Sequence, residues 1–317
     1  RVAQAERDPE DTQLTTFADE FDRLLDNEPK VGLVALRAWH IPMMGHGSQT
    51  EGGDKDQLAI IGFDQKIRGN NDFFQTPSYV NDFPGLQRHI DRLDLRDGTK
   101  DGDRRDNDIA EHHDNPAWAG YQTDVILQML KREGYGEDAV TDLFFTNYKM
   151  TDIVGHQFSM DSERMADVLE AQDRALGRLV TYLDEEVGDY AIVMTADHGH
   201  TPPPERSGAW PISQDELEKD LNERFNVPED ETLKLAITAV GPFLDREVLE
   251  GSGVSVEQVA RFMNSYTISD NWPREDLPEG YEDRGEETVF EAAFPSTQLG
   301  EVLRCRFGSD TPPGEIP

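Results

Sequence analysis

Residues 142–158, DLFFTNYKMTDIVGHQF, and residues 190–200, YAIVMTADHGH, decide how this chain is organised. Asp142–Tyr148 and Tyr190–Thr195 are short apolar runs, which predict two buried strands. The stretch between them, about 161–186, repeats apolar residues at helical spacing and predicts one long helix. A strand, a helix and a strand in this order predict a parallel βαβ unit, because parallel strands need such a crossover.

Each of the two predicted strands is followed by a carboxylate and an imidazole. Asp152 and His156 follow the first strand, and Asp197 and His198 follow the second. Open α/β sheets place their sites outside the carboxyl ends of the strands, so the four side chains are expected to converge. Mixed oxygen and nitrogen donors suit Zn²⁺ or Mn²⁺, and two such half-sites can hold two ions roughly 4 Å apart. Loop histidines and helix-capping aspartates without a metal are the competing interpretation.

The rest of the chain predicts further strands and helices on both sides of this unit. The predicted segments are a helix over 11–26, strands over 31–36 and 58–63, a polar acidic loop over 97–108, a helix over 122–132, a strand over 233–240, a helix over 255–264 capped by Ser255, a strand over 288–294, and a loop-like end over 311–317. The α/β pattern ends near residue 204, after which a smaller α+β segment is predicted.

The composition excludes several classes of protein. The chain has 317 residues with 65 acidic and 30 basic side chains, a net charge of −35, so phosphate backbones of nucleic acids would be repelled. No apolar stretch approaches the roughly 18 residues of a membrane span, and the single Cys305 excludes a disulfide framework. Acids spread along the whole chain resemble the surfaces of proteins from salt-loving archaea, with an ordinary acidic protein as the alternative.

The segments Thr141–Phe144, Thr151–Phe158 and Thr195–Gly199 resemble the alkaline phosphatase superfamily, and most closely its type I phosphodiesterase/nucleotide pyrophosphatase branch. The resemblance is strong over about 120–200 and weaker over 30–65. It implies an alkaline-phosphatase-like, mostly parallel sheet flanked by helices, with a smaller α+β cap insertion. The implied domains are a partial core over 1–204, a cap over 205–290 and a return toward the core over 291–317.

The resemblance also implies a function. Asp152 and His156 match the ligands of one metal, and Asp197 and His198 match the ligands of a second, with Zn²⁺ as first choice and Mn²⁺ or Mg²⁺ as alternatives. A Thr or Ser nucleophile would attack a small phosphoester between the two ions. A phosphoglycerate-mutase-like phosphotransferase is the second hypothesis, because those enzymes share similar motifs. A catalytically degenerate metal-binding relative is the third.

The chain departs from the family pattern at both ends. Only 30 residues precede the strand predicted at 31–36, and they hold no strand–Asp–turn signal for a nucleophile; Thr15 and Thr16 are interpreted as helix-cap residues. No histidine follows His200, although the family implies a late one. We therefore expect the chain to be the middle of a longer protein, with the nucleophile outside it.

Weaker candidates surround these motifs. Arg37, His40 and His46 are candidate substrate-binding residues after the first predicted strand, and His200 is a candidate for the late metal ligand. The polar residues 1–6 do not predict a signal peptide, which slightly favours the cytoplasm unless a signal lies upstream of Arg1. Oligomeric state is not predicted.

Overall fold

A computed structural model gives the fold, and it describes residues 14–82, 85–95, 115–238, 241–272 and 277–307. The predicted acidic loop over 97–108 and the predicted loop over 311–317 lie outside these ranges. The chain divides into two compact units, Arg1–Pro202 and Pro203–Pro317. The finer division into a core, a cap and a return segment stays a prediction. Across the described ranges, none of the helices combines the length and the apolar character needed to cross a bilayer.

The first unit contains a four-stranded sheet. Its strands are β1 (Val31–Ala35), β2 (Gln57–Ile61), β3 (Ile67–Arg68) and β4 (Leu143–Asn147), in the spatial order β3-β2-β1-β4. β1 pairs in parallel with β2 on one side and with β4 on the other, whereas β3 is an antiparallel edge. The predicted α/β fold with a mostly parallel sheet is therefore confirmed.

The side chains of β1 alternate between two hydrophobic cores on opposite faces of the sheet. Val34 belongs to one core, and Leu33 and Ala35 belong to the other. All five residues of β1 are buried. A strand that is covered on both faces needs apolar residues at successive positions, which is why this segment reads as a continuous apolar run.

Helices supply the cover on the two faces. In the first unit they are α1 (Phe17–Leu24), α2 (Ile41–Met44), α3 (Gln87–Asp94), α4 (Ala117–Glu133), α5 (Met150–Phe158) and α6 (Glu163–Tyr182). α6 packs against α4 and α5. It begins after Ser162, whose side chain accepts a hydrogen bond from the backbone N–H of Met165 at 3.1 Å. α4 ends at Gly134, whose φ of 69° is the left-handed conformation that favours glycine at a helix end.

The helix predicted over 11–26 begins later than expected. Thr16 caps α1, since its hydroxyl accepts from the Asp19 backbone N–H while the Asp19 carboxylate accepts from the Thr16 N–H. This reciprocal cap fixes the start of the helix and confirms the interpretation of Thr16 as a cap residue. Only part of the predicted apolar stripe is buried, because Phe17 is 67% exposed and Leu24 is 74% exposed.

The strand predicted at Tyr190–Thr195 does not form, and this prediction was wrong. The segment has no regular secondary structure and pairs with no strand among the described residues, and Val193 is 92% exposed and Met194 is 77% exposed. A strand needs a neighbouring edge for its backbone hydrogen bonds, and the apolar composition of a segment does not supply one. The predicted βαβ unit is therefore incomplete: β4 and α6 are present, and the second strand is not. β4 itself is half-buried rather than buried.

The second unit combines helices with a two-stranded antiparallel sheet. Its elements are α7 (Pro204–Ser207), α8 (Gln214–Arg224), β5 (Lys234–Thr238), β6 (Gly241–Leu244), α9 (Arg246–Gly251), α10 (Val256–Ser265) and α11 (Leu299–Phe307). Ser255 caps α10 as predicted, in a reciprocal arrangement with Gln258. Leu217, Leu221 and Tyr266 are among the buried residues of its core.

The strand predicted at Thr288–Phe294 is also wrong. Thr288 forms one isolated bridge with Thr267, and no longer ladder follows. Further along, the side chain of Asn264 accepts from the backbone N–H of Ala293 and donates to its carbonyl, both at 2.7 Å. A side chain thus satisfies backbone groups that a neighbouring strand would otherwise bind.

Asp124 ties three helices of the first unit together. It lies on α4 and is 8% exposed, and it accepts from Arg88 at 2.5 Å, from His89 on α3 at 2.7 Å and from Arg178 on α6. Burial alone would raise the pKa of Asp124, but the hydrogen bonds and charges of His89 and Arg178 lower it to about 2. The ionised carboxylate is therefore the form that holds the helices.

We expect Asp124→Asn to lower the free energy of unfolding at pH 7 by about 2 kcal/mol, because the cationic donors lose a charged acceptor. Since the folded-state pKa lies below the unfolded value, this contribution is present above about pH 4 and disappears toward pH 2. Urea unfolding at pH 7 and at pH 3 measures both effects. Glu170→Gln, which breaks the exposed Glu170–Arg174 pair on α6, is the control and should change little. Equal losses for the two variants would contradict this account.

Candidate metal centre

Asp152 and His156 lie on α5, which begins three residues after β4 ends. Sequence analysis placed them after a strand, and the structure adds that a helix carries them. Their spacing of four residues puts both side chains on one face of the helix, one turn apart. The Nε2 atom of His156 lies 3.4 Å from Oδ1 of Asp152.

The segment that follows Thr195 approaches the same face of α5. His198 Nε2 lies 3.5 Å from Asp152 Oδ1 and 3.6 Å from Asp197 Oδ2. His200 also enters the group, because its ligand atom and those of Asp152 and His198 all lie within 4.8 Å of one another. The structure thus brings Asp152, His156 and His198 together with the weaker candidate His200, whereas Asp197 reaches this group only through His198, its neighbour in the chain.

Three imidazole rings surround Asp152. The ring centroids of His156 and His200 are 4.9 Å apart, those of His198 and His200 are 5.6 Å apart, and those of His156 and His198 are 6.0 Å apart. All three pairs meet edge to face. Such a set of nitrogen donors around one carboxylate suits a borderline cation such as Zn²⁺.

The distances from Asp152 to the neighbouring histidine nitrogens fit ligands that share one cation better than they fit direct hydrogen bonds. Its Oδ1 atom is buried and has no hydrogen-bond partner, although two imidazole nitrogens lie near it. Two donors about 2.0–2.1 Å from a tetrahedral Zn²⁺ would be roughly 3.3 Å apart. The 3.4 Å and 3.5 Å distances from Asp152 to His156 and His198 are close to that spacing.

Lys149 is a further residue of this centre, and sequence analysis missed it. Its Nζ lies 2.8 Å from Oδ2 of Asp152. Burial tends to raise the pKa of Asp152, but the hydrogen bond and charge of Lys149, with smaller contributions from His156 and His198, lower it. Asp152 is therefore held ionised. The signal in the sequence was a lysine three residues before an acid, a spacing at which side chains on a helix are neighbours.

The three candidate substrate residues have different surroundings. His40 is buried, and burial followed by the charge of Lys149 lowers its pKa, while Asp197 and Asp152 act in the opposite sense. His46 instead binds Asp19 of α1, with Nδ1 2.6 Å from the carboxylate. The Arg37 guanidinium stacks over the ring of Phe63 at 4.1 Å.

Gly155 makes room for His200. A Cβ atom added at Gly155 would fall on the imidazole of His200, so the ring occupies the space that any larger residue would take. Gly155 lies on α5 between Asp152 and His156. The lack of a side chain at this position therefore allows the third imidazole to approach the carboxylate.

Comparisons with known proteins identify the family of the chain. A model of the type I phosphodiesterase / nucleotide pyrophosphatase family matches residues 66–286, more than half of the chain. Alkaline phosphatase PhoD of Zymomonas mobilis is 25% identical over 175 residues, which cover 52% of this chain and 30% of PhoD. The 2,3-bisphosphoglycerate-independent phosphoglycerate mutase of Halobacterium salinarum is 37% identical over 94 residues, which cover 29% of this chain and 16% of the mutase.

The fold has solved counterparts as well. The crystal structure of wild-type alkaline phosphatase PafA matches with a TM-score of 0.57 and 19% identity, covering 89% of this chain and 64% of that chain. This likeness confirms the alkaline-phosphatase-like fold. The chain spans less than a third of the length of the two curated relatives given above.

We expect Gly155→Ala to displace His200 from the centre, because the methyl group takes the place of the ring while the flexible side chain can swing away. NMR signals of the histidine rings should show His200 moving away from His156 and His198. Gly177→Ala on α6 is the matched control, since a Cβ there meets nothing within 4 Å. It should raise the melting temperature, because alanine is the better helix former by up to about 1 kcal/mol, and leave the rings unchanged. Unchanged His200 signals in Gly155→Ala would contradict the close approach.

Proposed function

Because the chain belongs to the type I phosphodiesterase / nucleotide pyrophosphatase family, we propose that its protein hydrolyses small phosphoesters with the help of bound divalent cations. The observation that carries the proposal is the convergence of Asp152 with His156, His198 and His200. The named relatives include an alkaline phosphatase, which supports hydrolysis of phosphoesters as the reaction class.

The donor set supports two ions. The family pattern assigns Asp152 and His156 to the first ion and Asp197 and His198 to the second, and His200 is added to the first. The 3.5 Å distance from His198 to Asp152 would equally fit one shared ion, and its 3.6 Å distance to Asp197 supports the second ion. Zn²⁺ is the first choice because the donors are mainly imidazoles, with Mn²⁺ and Mg²⁺ as alternatives.

Residues of the chain would prepare this centre in three ways. Lys149 keeps Asp152 ionised and orients it, since it binds Oδ2 and leaves Oδ1 for a ligand role. Gly155 admits His200. His40 is held in its neutral form by burial and by Lys149, so it would present a neutral ring to the substrate. Bound divalent cations would neutralise phosphoryl oxygens and lower the pKa of the attacking hydroxyl.

The nucleophile is unassigned within the described residues. Thr15 donates its hydroxyl to Glu20 at 2.8 Å, and Thr16 caps α1 and donates to the carbonyl of Met44. Both hydroxyls have structural partners, which weakens the case for either as a nucleophile. The proposal therefore keeps a Thr or Ser from another part of the intact protein in this role.

Two other functions remain as outcomes of the test. The likeness to the Halobacterium mutase favours transfer of phosphate between phosphoglycerates as the second hypothesis. A degenerate relative would bind the cations and turn over no phosphoester. Neither alternative changes the assignment of the metal ligands.

We expect the intact protein to hydrolyse nitrophenyl phosphate or its bis-ester and to lose this activity after chelation. Zn²⁺ should restore more of the activity than Mn²⁺ or Mg²⁺. Asp152→Asn should lower kcat/KM at least about 100-fold, a loss of about 2.7 kcal/mol of transition-state stabilisation. Asp189→Asn, which alters an exposed acid outside the cluster, is the control.

The outcomes separate the hypotheses. Hydrolysis that survives chelation and Asp152→Asn would contradict the proposal. Transfer between phosphoglycerates with no hydrolysis would favour the mutase-like alternative. The degenerate relative would be favoured if calorimetry shows Zn²⁺ binding that Asp152→Asn abolishes while the protein turns over no phosphoester.

The proposed origin in a salt-loving archaeon rests on the net charge of −35. Surface carboxylates repel one another when counterions are dilute, and salt screens this repulsion. We expect the melting temperature to rise between about 0.1 M and about 2 M KCl. A melting temperature that is unchanged or lower in molar KCl would contradict the halophilic origin.

A further inference from the structure

Three carboxylates meet where α1 faces the segment that leads into β2. Asp22 lies on α1, and Asp54 and Asp56 lie just before β2. One oxygen of each carboxylate lies within 4.8 Å of the other two. Asp22 is only 4% exposed and Asp56 only 6%, whereas Asp54 is exposed.

This cluster lacks the compensation that buried carboxylates usually have. Oδ1 of Asp22 is buried and has no hydrogen-bond partner. Burial, followed by the charge of Asp54 and a hydrogen bond with Asp54, raises the pKa of Asp22 to about 6, and burial followed by the charges of neighbouring carboxylates raises that of Asp56 to about 8. The charges that act on these two groups are those of Asp19, Asp22 and Asp54, and none of them is positive. Buried carboxyls without a cationic partner keep their protons or bind a metal ion.

We propose that Asp22, Asp54 and Asp56 form a binding site for a hard divalent cation, with Ca²⁺ as the occupant. All three donors are carboxylate oxygens, the ligands that Ca²⁺ takes, and no imidazole or thiolate is among them. A bound ion would keep all three carboxylates ionised, because its two positive charges offset their mutual repulsion. The exposed side at Asp54 leaves room for the water ligands that complete a coordination number of six to eight.

The site is separate from the candidate metal centre. Asp56 directly precedes the first residue of β2, whereas Asp152 lies beyond the carboxyl end of β4. Both strands run parallel to β1, so the two groups lie at opposite ends of the parallel strands. The proposal therefore does not depend on the proposed function. The bound ion would fasten α1 to the start of β2, a stabilising role.

Thermal melting of the intact protein, first freed of metal with a chelator, tests the site. CaCl₂ at about 100 times the dissociation constant should raise the melting temperature by about 5 °C, because only the folded chain holds the three carboxylates together. Asp22→Asn and Asp56→Asn should each lose most of this rise. Calorimetric titration with CaCl₂ should lose one binding event in the same variants.

Matched controls separate a built site from the general effect of cations on an acidic surface. Glu51→Gln removes an exposed acid from the same loop and should keep the full rise, and so should Asp152→Asn at the other end of the strands. NaCl at equal ionic strength should not reproduce the rise. In chelator, Asp56→Asn should melt no lower than the natural chain, because a neutral side chain of similar size replaces a buried carboxyl whose ionised form is disfavoured.

An equal rise in Asp56→Asn, no rise in the natural chain, or the same rise in NaCl would each overturn the proposal. Loss of the rise in Asp152→Asn as well would assign the effect to the other centre and would also overturn it. The test uses no hydrolysis assay, so its result can be interpreted even if the proposed function is wrong.

Discussion

β1 is paired in parallel with both β2 and β4, and its side chains are buried on both faces. Parallel pairing brings the carboxyl ends of the three strands to one edge of the sheet and their amino ends to the other. α5, which carries Asp152, follows β4 at the first edge, and Asp56 precedes β2 at the second. Because the strands are parallel, the two groups of potential ligands lie at opposite ends of the sheet. The burial of β1 on both faces stabilises this parallel pairing.

Sequence patterns predicted the parts of this arrangement that depend on local composition. The apolar runs at β1, β2 and β4 indicated strands because a sheet covered on both faces needs such runs. The run at Tyr190–Thr195 has the same apolar composition, but no strand edge pairs with it in the part of the chain that the structure describes. Hydrophobicity indicates a preference for burial and not the presence of a pairing partner. The motif indicated Asp152 and His156 as residues that follow a strand, and the helix that carries them was not predicted. The approach of His200 depends on tertiary packing, which no local pattern contains.

Electrostatics separates four acids of the first unit into two kinds. Asp124 and Asp152 have cationic partners, and each has a lowered pKa. Asp22 and Asp56 have raised pKa values because of burial, followed by the charges of other carboxylates. In a chain with about twice as many acids as bases, cationic side chains are scarce, and two of the acids that have them are Asp124, where three helices meet, and Asp152 in the candidate metal centre. Buried acids without such partners keep their protons or bind an ion from solution.

Gly155 has a consequence for how this protein can vary over evolutionary time. The glycine is required by the imidazole of His200 that lies against it, and not by a strained backbone, since its φ is outside the positive range that favours glycine. Positions 155 and 200 should therefore change together among relatives. A lineage that lost the imidazole at 200 would be free to accept alanine or serine at 155, and a lineage that kept the imidazole would not. Joint variation at these two positions would record which relatives kept the third imidazole.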